Sequence, residues 1–173
     1  MNHLVLFHPE IPQNTGNIMR TAMATESKLH IIGPLPFQLN DDTIKRAGLD
    51  YREHLDYVYY PDYQTFLLKN NHPKLHCITR YGTKMYSSMD VKEKLKDYYF
   101  MFGSESSGLT VEILKQHENH LYRIPMSVLA RSLNLSNCVA LVIYEVLRQQ
   151  GFPNLATKEV LKGEDYLKDK LNQ

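Results

Sequence analysis

Residues 98–110 read YYFMFGSESSGLT: an apolar, aromatic run that breaks at Gly103 into a polar loop closed by Gly108. The run has the length and composition of a buried strand, and the glycines mark where the chain turns at its carboxyl end. Two glycines five positions apart also match the frame of a phosphate-binding loop, G-x-x-x-x-G-K-[ST]. Leu109 stands at the lysine position. Glu105 lies inside the loop, where its carboxylate would repel a triphosphate by ~1 kcal/mol even in water. The loop therefore suits a ligand other than a nucleoside triphosphate.

Outward from this stretch, apolar runs bounded by turn residues recur at 3–7, 28–33, 56–60, 75–79 and 120–125. Helical spacing is predicted at 15–26, 41–48, 62–70, 109–117 and 135–150. It is strongest in the last, where Leu135, Val139, Val142, Ile143, Val146 and Leu147 form one stripe before Gly151 and Pro153 stop it. Alternating strands and helices predict an α/β fold with a largely parallel sheet flanked by helices. The expected organisation is one domain over residues 1–153 and a charged, partly helical appendage over 154–173.

Twenty Lys and Arg against nineteen Asp and Glu leave a net charge of +1, so no global basic field points to nucleic acid. Any RNA contact must be local. No apolar run approaches the ~18 residues of a membrane span, and the amino end lacks the pattern of a signal peptide. A cytoplasmic protein with no membrane partner is expected. Cys77 and Cys138 sit in apolar strand-like and helix-like contexts, suiting reduced core thiols rather than a disulfide framework. The pairs His72/His76 and His117/His120 have ligand-like spacing but no third Cys or His in a zinc pattern, so no metal is expected.

Ligands of open α/β sheets gather at the carboxyl ends of strands, and three polar clusters fall there. In PEIPQNTGNIMR (9–20), Asn14 can cap a helix, while Asn17 and Arg20 share one helical face near its positive end. That face could hold a phosphate; a capped helix with an exposed arginine explains it as well. In the glycine loop, Ser104, Ser106 and Ser107 add hydroxyls, although a plain turn before a helix fits too. In RIPMSVLARSLNLSN (123–137), the set Ser132, Asn134, Ser136 and Asn137 exceeds what one N-cap uses. The surplus suggests a ligand wrapped by this loop, against the alternative of an elaborate cap.

The ordered set NTGNIMR, FGSESSGL and IPM followed by SLNLSN resembles the three motifs of the SPOUT superfamily of RNA methyltransferases. The likeness is greatest to its tRNA wobble-nucleotide 2′-O-methyltransferases. It extends through LHIIGP and RAGLDY (46–51) to YEVLRQQGFP, ending at Pro153. The resemblance implies a carboxyl-terminal trefoil knot, which general topology rules would exclude, a homodimer, a tRNA substrate and S-adenosylmethionine as methyl donor. By matching motifs, the donor is enclosed by Ile78, Gly103, Ile124 and Ser132, with Leu133 and Asn134 beside it. Arg20, Glu105 and Asn17 are the implied catalytic set, Arg20 and Glu105 facing the reacting ribose. Some relatives carry arginine where this chain has Ser107, so a basic contact is expected to be missing there.

The implied step moves a methyl group from a sulfonium to a ribose 2′-hydroxyl, and Glu105 is acceptable near that cation. Since guanidinium groups stay protonated in proteins, Arg20 is expected to act electrostatically rather than as a base. Two other readings remain: a non-catalytic RNA-binding protein on the same fold, or methylation at another tRNA or rRNA site. A dehydrogenase lacks support, because HPEIPQNTG follows the first strand in place of G-x-G-x-x-G.

Overall fold

The computed structural model describes residues 1–39, 55–163 and 165–172. Among them seven strands form one sheet: β1 Asn2–Phe7, β2 Lys28–Ile32, β3 Tyr57–Tyr60, β4 Leu75–Ile78, β5 Lys84–Met85, β6 Tyr98–Phe102 and β7 Leu121–Arg123. Their order is β3-β2-β1-β6-β4-β7-β5, and each pairing is parallel. The helices are α1 Pro12–Ala24, α2 Tyr63–Lys69, α3 Val111–Gln116, α4 Leu135–Gln150 and α5 Tyr166–Leu171. The α/β reading and its parallel sheet are thus observed. β5, two exposed residues at the sheet edge, had no apolar pattern to reveal it. The expected helix at 41–48 and the stretch 46–51 lie outside the described residues.

β1 and β6 sit side by side in the middle of the sheet, with Val5 opposite Met101 and Leu6 opposite Phe102. Every residue of β1 is buried, as a parallel strand covered on both faces requires. On one face, Leu4, Leu6, Phe100 and Phe102 pack with Ile18 and Met19 of α1 and Val139, Val142, Ile143 and Val146 of α4. On the other, Val5, Cys77 and Met101 pack with Phe66 and Ile113 of α2 and α3. Cys77 and Cys138 are free thiols. The end of α4 is tied to the start of β1: Asn2 Nδ2 donates to Gln150 Oε1 (2.9 Å), and Gln150 Nε2 donates to the Val91 carbonyl (3.0 Å). Gly151, at φ 72°, then closes the helix in the left-handed region.

One helix start differs from expectation. α1 begins at Pro12 rather than residue 15, and Asn14 does not cap it. Proline has no N–H to leave unsatisfied and its fixed φ suits the first helical turn. Ile11 occupies the cap position without any side-chain bond, which leaves Asn14 free for another task. Beyond residue 153, Leu155 packs on the core, while α5 buries none of its residues.

A polar chain crosses the β2–β3 side of the core. Asn70 Nδ2 donates to the Tyr60 hydroxyl (3.1 Å), which is itself hydrogen-bonded to His30 Nδ1 (2.9 Å). His30 Nε2 and His3 Nδ1 share a further hydrogen bond (2.9 Å). A bond between two ring nitrogens needs one of them to accept, so the two imidazoles cannot both be protonated. Burial lowers the His30 pKa from 6.5 to about 3, with neighbouring His3 adding to the effect. Burial likewise lowers His3 to about 4, partly offset by Asp97. Between those values and 6.5 the unfolded chain binds protons that the folded chain does not. Stability is therefore expected to fall as pH drops below 6.5, by on the order of a few kcal/mol towards pH ~4. Chemical denaturation at a series of pH values checks this, and a flat profile across that window would contradict it.

Candidate active site

The carboxyl ends of β1, β4, β6 and β7 open onto one cavity of about 540 Å³. Its wall from β6 is the hairpin Gly103–Leu109. A Cβ on Gly103 would collide with the backbone of Gly108 and Leu109, and Gly108 has φ +73°. Both glycines are thus required, the first by close approach and the second by conformation. Within the hairpin, Ser104 N–H donates to the Gly108 carbonyl (3.2 Å) and Gly108 N–H donates back to that of Ser104 (3.0 Å). The Ser104 and Ser107 hydroxyls bond each other at 2.7 Å. The N–H groups of Ser104, Ser106, Ser107 and Gly108, which a phosphate loop would aim at its ligand, are turned to protein partners.

Glu105 binds the loop after β1. Its Oε2 accepts from the Glu10 N–H (2.8 Å), and its Oε1 accepts from the Ile11 N–H (3.2 Å) and from Asn14 Nδ2 (2.9 Å). The arrangement is reciprocal, since Glu10 accepts from the Ser106 N–H (2.9 Å) and hydroxyl (2.6 Å). Glu105 thereby serves the amino end of α1 that no side chain of the helix itself caps. The buried Asn14 passes the connection on: its Oδ1 accepts from Asn134 Nδ2 (2.9 Å). Asn134 Oδ1 in turn caps α4 by accepting from the N–H of Ser136 (2.9 Å) and of Asn137 (3.4 Å), and from the Ser136 hydroxyl (2.7 Å). One hydrogen-bonded chain thus joins all three polar clusters. Within the third cluster the Asn134 and Ser136 side chains form an elaborate cap and Asn134 adds the inter-loop bond, while Ser132 lines the cavity.

Ile78, Gly103, Glu105, Ile124, Ser132, Leu133 and Asn134 all line the cavity. Asn17 and Arg20 do not; both lie on the exposed face of α1. Sequence reasoning overlooked Glu10, gave Asn14 the wrong task, and passed over Arg80, Tyr81 and Arg131 on the cavity wall. Arg80 and Tyr81 follow directly on β4, so the rule that ligands gather at strand ends would have found them. Glu10 carried no such signal, because its partners come from a loop almost a hundred residues away. The lining mixes the aliphatic Ile78, Leu109, Ile124 and Leu133 with serine hydroxyls and backbone groups, and Glu105 brings the acidic charge. A cavity of this size and mixed lining, with Arg80 and Arg131 opposing the charge of Glu105, suits a partly apolar small molecule. Among the described residues no cluster of three or more His, Cys, Asp or Glu is placed to hold a metal ion.

Comparison with known proteins gives relatives of similar length. A Listeria monocytogenes protein provisionally named tRNA (cytidine(34)-2′-O)-methyltransferase is 47% identical over 151 residues, covering 87% of this chain and 89% of its own. The crystal structure of a provisionally assigned RNA methyltransferase from Bacillus anthracis superposes with a TM-score of 0.87 at 45% identity. The match covers 92% of this chain and all of that one. A structure solved to explain the 2-OH methylation of C/U34 on tRNA gives a TM-score of 0.79 at 38% identity, covering 87% of this chain and 97% of that one. The description of the SpoU rRNA Methylase family matches residues 1–144, a span that takes in β1, the glycine hairpin and more than half of α4, and the chain belongs to that family.

Proposed function

We propose that this protein transfers a methyl group from S-adenosylmethionine to a ribose 2′-hydroxyl of tRNA, at the wobble nucleotide. The observation that carries the reading is the cavity of about 540 Å³ onto which the three hydrogen-bonded loops converge, in a chain whose relatives are named for that reaction. When bound, S-adenosylmethionine supplies an electrophilic methyl carbon on a cationic sulfur. Ile78, Leu133 and Ile124 give its adenosyl part apolar contact, while backbone groups near Gly103 and Ser132 give it polar partners. Asn134 shapes the pocket through its bonds to Asn14 and to the start of α4. Glu105 contributes negative charge beside the cation. With both oxygens engaged by three donors, it is a positioning group, which leaves the substrate phosphate or water to take the hydroxyl proton.

Arg20, with Asn17 on the same exposed face of α1, acts on the RNA. Its guanidinium grips a phosphate beside the target ribose and stabilises negative charge developing on the oxygen. Since it stands outside the cavity wall of its own chain, the working unit is a homodimer. α4 exposes Leu141 and Tyr144 (43% and 49%) on the helical face that also carries the exposed Arg148. α1 packs against α4, so a contact through that face brings Arg20 to the interface. The carboxyl-terminal segment forms a trefoil knot, as the likeness to the superfamily implies. Among the described residues no helix is long and apolar enough to cross a membrane, and tRNA modification places the protein in the cytoplasm.

Nucleoside mass spectrometry of tRNA from cells with and without the gene tests the reading. Loss of one 2′-O-methylated wobble nucleoside is expected, and unchanged tRNA would refute it. Arg20→Ala should slow single-turnover methylation by roughly 10²–10³ at saturating donor, as loss of a transition-state donor does elsewhere. Arg20→Lys should recover part of that; an unimpaired alanine variant would remove Arg20 from the mechanism. Sedimentation should find a dimer at micromolar concentration, converted to monomer by Leu141→Asp with Tyr144→Asp. A fully active monomer would dispose of the dimer.

A further inference from the structure

The turn after β4 puts an aromatic ring and an arginine at the lip of the cavity and holds them there. Thr79 N–H donates to the Tyr122 carbonyl (2.9 Å), Gly82 N–H donates to the Thr79 carbonyl (3.2 Å), and Tyr81 N–H donates to Thr79 Oγ1 (3.3 Å). At Gly82 the chain runs so close to β7 that a Cβ would lie 2.5 Å from the Tyr122 carbonyl carbon. Arg123 clamps the turn from outside, donating from Nη1 to the Arg80 carbonyl (2.9 Å). On this fixed base the Tyr81 ring is 65% exposed, with the Arg80 guanidinium carbon 5.2 Å from its centroid.

Leaving such a ring in water has no packing rationale; the charge shown beside it is the Arg80 guanidinium, while Glu105 of the same cavity is engaged by the loop after β1. Arg80 and Arg131 line the same cavity and Arg123 lies behind the turn. Among the described residues none of the three forms an ion pair. The adenine of a methyl donor needs no countercharge and belongs in the enclosed interior. An exposed aromatic face flanked by arginines matches single-stranded RNA, which offers stacking bases and phosphates at alternating positions.

We infer that Tyr81, braced by Arg80, is a stacking platform for a nucleobase beside the methylated nucleotide, with Arg80 and Arg131 holding the flanking phosphates. The inference rests on the RNA-methylation reading above. The platform orders the loop strand across the cavity mouth, so that the target ribose points inwards.

Fluorescence anisotropy with a labelled tRNA anticodon stem-loop, using the full chain and S-adenosylhomocysteine, tests this, with calorimetry of S-adenosylhomocysteine alone as the control. Tyr81→Ala should weaken RNA binding roughly ten- to a hundredfold, the range for loss of one stacked base, and Tyr81→Phe should restore it. Arg131→Gln should lower the slope of log affinity against log salt by about 0.7, the value for one single-strand phosphate contact. Calorimetric affinities should be unchanged in all three variants. RNA binding by Tyr81→Ala equal to that of the unaltered chain would overturn the inference and leave the function standing. Weaker S-adenosylhomocysteine binding without a change in RNA affinity would also overturn it, assigning the ring to the donor. If the unaltered chain binds no RNA, both fail.

Discussion

The site depends on two carboxylates that satisfy each other's backbones. β1 and β6 are neighbours, so their loops leave the sheet side by side, and Glu10 and Glu105 reach across in opposite directions to the N–H groups of the other loop. Two like charges this close would repel. Here each carboxylate accepts charge-assisted hydrogen bonds of 2.6–3.2 Å from separate donors, which are stronger than neutral ones. The exchange fixes the entry to α1, fixes the glycine hairpin, and occupies amides that could otherwise attract an anion. A loop with the glycine spacing of a phosphate cradle is thereby made unfit for phosphate.

Asn14 and Asn134 extend the constraint from two loops to three. Each uses one end of its amide towards one neighbour and the other end towards the next, so neither can rotate without breaking two bonds. Hydrogen bonds that share groups in this way polarise one another where water is scarce. The packing beneath has the same connectivity: α1 and α4, which present these asparagines, meet over the same face of β1 and β6. Polar chain above and apolar contact below fix one relative position of the two helices, and with it the shape of the cavity between their amino ends and the sheet.

This division explains what could be read from the sequence. The strands β1, β2, β4 and β6 and the helix α4 were visible because burial on both faces, or along one stripe, imposes local patterns on residue type. β5 was not, since its two residues are exposed and paired through the backbone. The start of α1 was misjudged because Asn14 has the chemistry of a cap, and only the distant Glu105 shows that this amide is needed elsewhere. The cavity wall was legible to the extent that the family motifs cover it; Arg80, Tyr81 and Arg131 lie outside those motifs. Glu10 illustrates the general limit. A long-range bond to a backbone N–H leaves no trace in the identity of its partner.

The distribution of charge lets a chain of net charge +1 suit the anionic polymer and the cationic small molecule of the reaction proposed above. Exposed charges more than ~8–10 Å apart are largely screened at physiological salt, so the sum over the chain matters less than what lies within that distance of the mouth. There the signs are sorted by depth. Arg80 and Arg131 stand exposed on the cavity wall, while the half-buried Glu105 is held on the inner hairpin by bonds it cannot release cheaply. In the proposed reaction this order of charge attracts RNA phosphates to the lip, repels them from the interior, and favours a sulfonium there. The same carboxylate that disqualifies the glycine loop as a phosphate cradle thus keeps the two reactants of the proposed reaction in separate places, touching only where the ribose meets the methyl group.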